Sequence, residues 1–124
     1  MFLKKKIELE EGKRRKGTFS LNKRKYSCPI ELTLSVIGGK WKILILWNLM
    51  EGARRYSELK YLLKEITHKM LIQQLKELVA DGIINRKVFN EVPLRVEYRL
   101  NKEGIRLSKV ISSMREWGFK YLVK

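Results

Sequence analysis

The sequence has little of what metal sites and enzyme active sites are built from. Among 124 residues there is one cysteine, Cys28, and one histidine, His68. One thiol and one imidazole cannot supply any of the usual metal-ligand spacings. No nucleophile stands near a plausible base, and the carboxylates are scattered among lysines. We therefore expect no metal, no other cofactor and no enzymatic activity.

Long apolar runs are also missing. The longest, from Ile43 to Trp47, is far shorter than the roughly 20 apolar residues that a membrane-spanning helix needs. The basic N-terminus is followed by neither the apolar stretch nor the small-residue cleavage site of a secretory signal. The sequence therefore predicts a cytoplasmic protein without a membrane partner.

Acidic residues are few compared with basic ones. The chain has 13 Asp and Glu against 28 Lys and Arg, a formal charge of +15 and an isoelectric point near 10.1. Such an excess indicates a polyanionic partner, either nucleic acid or an anionic membrane surface, and the short apolar runs favour nucleic acid.

Much of this charge lies at the start of the chain. Residues 1–25 carry ten basic and three acidic side chains, a net charge of +7 that leaves +8 on residues 26–124. A disordered arm is one interpretation. A small hairpin is the other, with Ile7 and Leu9 on one strand, Phe19 and Leu21 on the second and a turn within residues 12–17. We expect an arm, 1–25, and one folded domain, 26–124.

Two short helices are predicted in the middle of the chain. The first runs from Ser57 to Leu63, and the second is capped by Thr67 and ended by Gly82. Because so few residues separate them, the helices must cross steeply, as in a helix-turn-helix, whose second helix enters the DNA major groove. A helical hairpin with solvated lysines explains this stretch alone equally well.

The second of these helices has two distinct faces. One is apolar, and the other carries Lys69, Gln73 and Lys76. The core positions expected in the helix pair are Leu59, Leu62, Leu63, Leu71, Leu75, Leu78 and Val79.

Two further helices are predicted upstream. Cys28 precedes Pro29 at a helix start, and this helix runs to about Ile37. Lys40 to Glu51 follows Gly38-Gly39 and is apolar nearly all round, which is typical of a central buried helix. A short strand is expected at residues 54–56.

A hairpin is predicted after Gly82. Val96, Tyr98 and Leu100 alternate with charged residues, which predicts a half-buried strand, and an extended run containing Arg86 precedes the turn. Such a hairpin is a wing, and Arg95 is the candidate for the adjacent minor groove. A solvated arginine on an edge hairpin is an equally good interpretation.

The last helix begins at Asn101, a capping residue. Its apolar stripe is longer than a small domain needs, so we expect a dimer interface, with ordinary core packing as the alternative. The stripe consists of Leu107, Val110, Ile111, Met114, Trp117, Tyr121 and Leu122.

The order of these elements is that of a winged helix-turn-helix, mainly α with a small β-hairpin wing and dimerising through terminal helices. The segments CPIELTLSVIGGKWKILILWNL, YSELK, ITHKMLIQQLKELVADGII and NEVPLRVEYRLNKEG resemble the HxlR-type transcriptional regulators, which are related to the MarR group. The resemblance covers residues 28 to about 118. Leu94 stands where such sequences often have a second proline. The resemblance implies a homodimer that binds a palindromic operator on double-stranded DNA.

Candidate DNA contacts follow from the predicted geometry. Gln73 is the best base reader because its amide can pair bidentately with adenine. Lys69 and Lys76 point at the same groove. The candidates at helix ends or on the flanking helix are expected mostly to contact phosphates and to position the second helix; they are Ser57, Lys60, Thr67 and His68. Arg86 and Arg95 are the candidates of the wing.

Cys28 allows two interpretations. A single intracellular thiol is most often a buried apolar filler. This one precedes a helix and follows Lys23, Arg24 and Lys25, and both features stabilise a thiolate. Some members of the resembling family sense oxidants or electrophiles near this place, so a redox sensor is the second interpretation. No small-molecule effector can be assigned.

The leading hypothesis is a sequence-specific transcriptional regulator. The main alternative is an architectural nucleic-acid-binding protein, whose net charge of +15 would bind any duplex. A winged-helix protein-interaction module is a third, and the basic face of the second helix argues against it.

Overall fold

The computed structural model describes residues 19–21 and 24–123, with side chains from residue 25 onward. The chain divides into two compact units, residues 1–38 and 39–124. The predicted hairpin strand at Ile7 and Leu9, and most of the basic arm, lie outside the described residues. The predicted boundary between residues 25 and 26 stays a prediction.

The first unit contains a short hairpin and one helix. Strands β1 (Phe19–Leu21) and β2 (Arg24–Tyr26) pair antiparallel, and helix α1 spans Pro29–Ile37. Cys28 occupies the N-cap position with an extended backbone and no side-chain capping bond, and its carbonyl oxygen accepts from Leu32 N at 3.2 Å. Pro29 begins the helix as predicted, because its missing N–H has no intrahelical partner at that position.

The second unit has four helices and a three-stranded sheet. The elements are α2 (Trp41–Leu49), β3 (Arg54–Arg55), α3 (Tyr56–Leu62), α4 (His68–Ala80), β4 (Ile84–Phe89), β5 (Arg95–Leu100) and α5 (Lys102–Leu122). The sheet is antiparallel in the order β3-β5-β4. Strands β4 and β5 form the wing, with Ile84 opposite Leu100 and Phe89 opposite Arg95. The architecture is the predicted winged helix-turn-helix.

The core of this unit is formed mainly by the helices. Fully buried side chains come from α2, α3, α4, the turn between α3 and α4, and β4, and they are Ile45, Leu46, Leu49, Leu59, Ile66, Leu71, Leu75, Leu78 and Ile84. Two predicted core positions are wrong, because Leu62 is 41% exposed and Val79 is 37% exposed. Each lies at the edge of its helix's apolar face, where the 3.6-residue period cannot decide burial.

Helix α2 differs from the expected all-apolar buried helix. Its Trp47 remains 39% exposed, whereas Lys42 in its first turn is only 7% exposed. A buried ammonium group requires a partner, since desolvation of an unpaired charge is very costly.

The helix-turn-helix has the predicted caps. Thr67 Oγ1 accepts from Met70 N at 3.0 Å at the start of α4, and Gly82, just beyond its end, has a φ of +74°. That left-handed conformation favours glycine. In α3, the Glu58 carboxylate accepts from Arg55 N at 2.8 Å and so caps the start of that helix.

Helix α5 is capped as predicted, since Asn101 Oδ1 accepts from Glu103 N and Gly104 N. Its interface stripe needs one correction. Ile111 is 3% exposed and therefore belongs to the core of this chain, because it lies on the side of α5 that packs inward. Within the described ranges, no helix is long and apolar enough to cross a membrane.

Candidate nucleic-acid interface

The outer face of α4 carries the side chains predicted to meet DNA. Lys69, Gln73 and Lys76 are exposed, and with Ile72 and Glu77 they line a shallow cleft of about 410 Å³. The core leucines of α4 hold the opposite face of the helix, which directs these polar groups outward. The structure thus brings together the three residues predicted for the outer face of the second helix.

Gln73 is held by neighbours that the sequence did not reveal. Its Nε2 donates to Glu77 Oε2 at 3.1 Å, and Lys42 Nζ lies 2.6 Å from Glu77 Oε1. The i,i+4 spacing of Gln73 and Glu77 was a usable signal. Lys42 was missed because its helix reads as apolar and because its partner belongs to a distant part of the chain.

A second cleft, of about 500 Å³, joins α4 to the wing. Lys76 and Arg86 both line it, so two predicted basic residues from different elements share one concave surface. The remaining lining residues are mostly apolar and are Ile72, Leu75, Val79, Ala80 and Tyr98. With two cations among its lining residues, this cleft can accept a phosphate group.

The start of α4 is tied to the start of α3. The Tyr56 hydroxyl lies 2.6 Å from His68 Nδ1, and the two rings stack with centroids 5.8 Å apart. Partial burial, and to a smaller extent the Tyr98 hydroxyl, raises the pKa of Tyr56 above its ordinary value. Tyr56 therefore keeps its proton, and its hydroxyl and His68 Nδ1 are within hydrogen-bonding distance. Thr67 and His68 are both exposed.

The two predicted residues of α3 lie in different surroundings. Ser57 is exposed in a depression of about 340 Å³ that it shares with Arg54, Glu58, Tyr61 and Leu62. Lys60 is half-buried in the last turn of the helix. Neither residue lines the two clefts of α4.

The wing requires a correction at Arg95. Its guanidinium group lies 2.8 Å from Glu91 Oε2 and 3.0 Å from Glu97 Oε2, and it stacks over the Phe89 ring at 3.8 Å. Its Nε is buried. With two carboxylates beside it, this arginine is neutralised within the wing and does not present the exposed charge expected for the minor groove. Its side chain remains 26% exposed, so it is also less solvated than the other interpretation expects.

Cys28 lies in the first unit as a free thiol of intermediate exposure. Its position at the N-cap of α1 agrees with the sequence analysis. Among the described residues, no three His, Cys, Asp or Glu side chains are grouped so that they could hold a metal ion.

Comparison with known proteins identifies the family. A family model described as HxlR-like helix-turn-helix matches residues 36–124. The regulatory protein MalR of Fusobacterium mortiferum is 54% identical over 97 residues, which cover 77% of this chain and 92% of MalR.

Two solved structures are also similar to this chain. The transcriptional regulator YtcD, a protein of Bacillus subtilis, matches with a TM-score of 0.74 and 50% identity over 77% of this chain and 98% of its own. The redox regulator HypR in its oxidized form matches with a TM-score of 0.72 and 44% identity, over 75% of this chain and 96% of its own. The winged helix-turn-helix, the basic face of α4 and these matches agree, and the chain belongs to the HxlR-like helix-turn-helix family of DNA-binding transcriptional regulators, which are not enzymes.

Proposed function

We propose that this regulator binds a palindromic operator as a homodimer in the cytoplasm. The observation that carries the proposal is the exposed face of α4, where Lys69, Gln73 and Lys76 surround one cleft on the second helix of a helix-turn-helix. Two such helices related by a two-fold axis reach successive major grooves, with half-site centres roughly 34 Å apart or a multiple of that.

The proposed DNA contacts divide by chemistry. Gln73 reads a base edge, since its amide offers both a donor and an acceptor. Lys69, Lys76 and Arg86 neutralise phosphates, and His68 contacts one at the start of α4. Thr67, Ser57 and Lys60 contact the backbone at the helix ends. Arg95 stiffens the wing instead of contacting DNA, and the basic residues 1–25 lie along flanking phosphates.

The exposed apolar side of α5 supports the homodimer. Trp117 is 67% exposed and Tyr121 58%, and their rings stack with centroids 4.9 Å apart, which forms an exposed aromatic pair. Val110 and Met114 continue this surface along the helix, and Leu107 at its N-terminal end is half-buried. An exposed patch of this kind is typical of an interface, and a two-fold axis would cover both copies.

We propose in addition that Cys28 makes DNA binding responsive to oxidants or electrophiles. Cys28 is partly exposed and occupies the N-cap position of α1, and susceptibility to oxidation follows the exposure of a cysteine. The similarity to the redox regulator HypR agrees with such a role. Diamide or an aldehyde should change the affinity of the wild-type protein for its site and leave that of Cys28→Ser unchanged. Unchanged affinity in both proteins would remove this part of the proposal.

The main experiment selects a cognate duplex from a random-sequence pool with the full chain. A regulator should prefer the selected duplex to a random duplex by about a thousandfold or more at physiological salt, and the selected sequence should contain an inverted repeat. A ratio near one would instead support the architectural alternative.

Substitutions then separate base reading from phosphate binding. Gln73→Ala should cost about 1 to 3 kcal/mol on the selected duplex and spare random-duplex binding, whereas Lys60→Ala should weaken both alike. Equal losses on both duplexes for Gln73→Ala would remove Gln73 as base reader.

The dimer is tested by sedimentation. Trp117→Glu should produce a monomer, because it places a charge in the proposed interface. Leu94→Glu, at an equally exposed apolar residue of the wing tip, is the matched control and should leave the mass unchanged. A wild-type monomer at micromolar concentration would contradict the proposal.

A further inference from the structure

We propose that Lys42 and Glu77 are positioning residues that fix the orientation of the Gln73 amide and so set which base it accepts. The inference rests on the proposed role of Gln73 as base reader. It starts from two contacts, Gln73 Nε2 to Glu77 Oε2 at 3.1 Å and Lys42 Nζ to Glu77 Oε1 at 2.6 Å. Together they form a continuous chain of polar contacts from the core to the outer face of α4.

The first step concerns the amide of Gln73. A glutamine side chain can turn its amide over, which exchanges the donor and acceptor positions that it presents. An ionised carboxylate can only accept hydrogen bonds, so Glu77 binds the nitrogen end of the amide and never the oxygen end. One N–H of Gln73 is therefore used, and the second N–H and the oxygen remain available as a donor–acceptor pair for a base. That pair is complementary to N7 and N6 of adenine.

The second step concerns Glu77 itself. Within the fully described helix α4 it is the only acidic residue, and its side chain is 41% exposed. An uncompensated carboxylate on a DNA-binding face would repel phosphates. The Lys42 ammonium group compensates its charge from the buried side, so Glu77 can orient Gln73 without opposing DNA binding.

The third step concerns Lys42. Its side chain is 9% exposed, and it comes from α2, whose neighbouring side chains form the core of this unit. A desolvated ammonium group with one short ion pair holds its partner far more rigidly than a surface lysine would. The Glu77 carboxylate is thereby held in place by the core instead of by a mobile surface side chain. Gln73 is held in place through it.

The test uses the selected duplex, the same duplex with the base pair read by Gln73 changed, and a random duplex. In Glu77→Gln the amide can turn over, because glutamine can donate as well as accept. The preference for the selected over the changed duplex should fall about tenfold, while affinity for the random duplex is retained or increased because a negative charge is removed. In Gln73→Ala the additional Glu77→Gln substitution should alter this preference by less than about twofold.

A spectroscopic measurement separates positioning from stability. The Gln73 side-chain amide proton that donates to Glu77 should be shifted downfield in the wild-type protein, and both amide protons should move toward the shifts of a free glutamine in Glu77→Gln, with the rest of the spectrum preserved. Lys42→Arg, which keeps a cation for Glu77, should largely retain the base preference, whereas Lys42→Met should lose it. If Lys42→Met or Glu77→Gln fails to fold, the double variant Lys42→Met/Glu77→Gln, which removes both charges of the pair, still decides.

Two results would overturn the inference, and they differ. If Gln73→Ala lowers the base preference but Glu77→Gln does not, Glu77 does not position Gln73, and the proposed base reader stands. If Gln73→Ala leaves the base preference unchanged, Gln73 does not read a base, and the proposed role of Lys42 and Glu77 is wrong as well.

Discussion

The Asn101 side-chain nitrogen donates to the Gly82 carbonyl oxygen at 2.6 Å, which ties the end of α4 to the start of α5. The same side chain caps α5 through its Oδ1, and the Asn101 backbone N donates to the Ile83 carbonyl oxygen at 3.1 Å. One residue thus joins the helix proposed to read DNA to the helix proposed to pair the two protomers. In the proposed dimer, this connection would help to set the distance between the two copies of α4.

Replacement of Asn101 should show how much this connection contributes to the free energy of unfolding. Asn101→Ala removes both the cap and the bond to Gly82, and should lower the free energy of unfolding by about 1 to 3 kcal/mol. Asn101→Ser keeps a capping oxygen without the side-chain N–H donor, and should cost roughly half as much. Urea unfolding followed by circular dichroism gives both values. Equal stability of the alanine variant and the wild type would show that the cap contributes nothing.

Gly104 and Gly118 lie in the same helix and form a matched pair. An added Cβ at Gly104 would overlap the Ile83 carbonyl oxygen, whereas at Gly118 it would meet nothing within 4 Å. Gly104→Ala should therefore destabilise the protein by about 1 to 3 kcal/mol. Gly118→Ala should stabilise it by up to about 1 kcal/mol through helix propensity. The sign of each change in urea unfolding is the readout, and a stabilising Gly104→Ala would contradict the close packing.

Arg95 should act on the wing and not directly on DNA. Arg95→Ala removes two ion pairs and the stacking on Phe89, so amides of β4 and β5 should exchange hydrogen about tenfold faster while global stability changes little. Arg99, exposed on the same strand, provides the control: Arg99→Ala should leave wing exchange unchanged. Unaltered exchange in Arg95→Ala together with a loss of DNA affinity would restore the minor-groove assignment.

Because of Tyr56, we expect the free energy of unfolding to depend on pH in the alkaline range. Because folding raises the pKa of Tyr56, chiefly by burial, the folded state retains a proton that the unfolded state loses. The stabilisation is complete below the unfolded value of about 10 and disappears as pH rises through the folded pKa. Stability should therefore fall more steeply over roughly pH 9 to 12 in the wild type than in Tyr56→Phe. Parallel curves would show that Tyr56 ionises as it does in the unfolded chain.

Local features of the fold were predictable because they depend on neighbouring residues. Thr67 and Asn101 cap helices through bonds to backbone N–H groups two or three positions onward, so sequence spacing alone identifies them. The left-handed Gly82 and the alternating strand residues before Asn101 are equally local. The apolar faces of α3 and α4 were predicted except at Leu62 and Val79, whose exposure depends on what lies beside the helix.

By itself, the sequence determined the helix-turn-helix, the wing and the basic outer face of α4, since each follows from periodicity, capping or charge. Only the tertiary structure decided how the charged side chains are used. Arg95 is bound by Glu91 and Glu97, Ile111 turns inward, and Lys42 is buried against Glu77. For Lys42 and Ile111 the physical reason is that burial and ion pairing depend on residues distant in the chain, which no local pattern encodes. The partners of Arg95 are near in sequence. Its contacts with the two carboxylates and the aromatic ring form only in the folded hairpin, so the sequence did not reveal them.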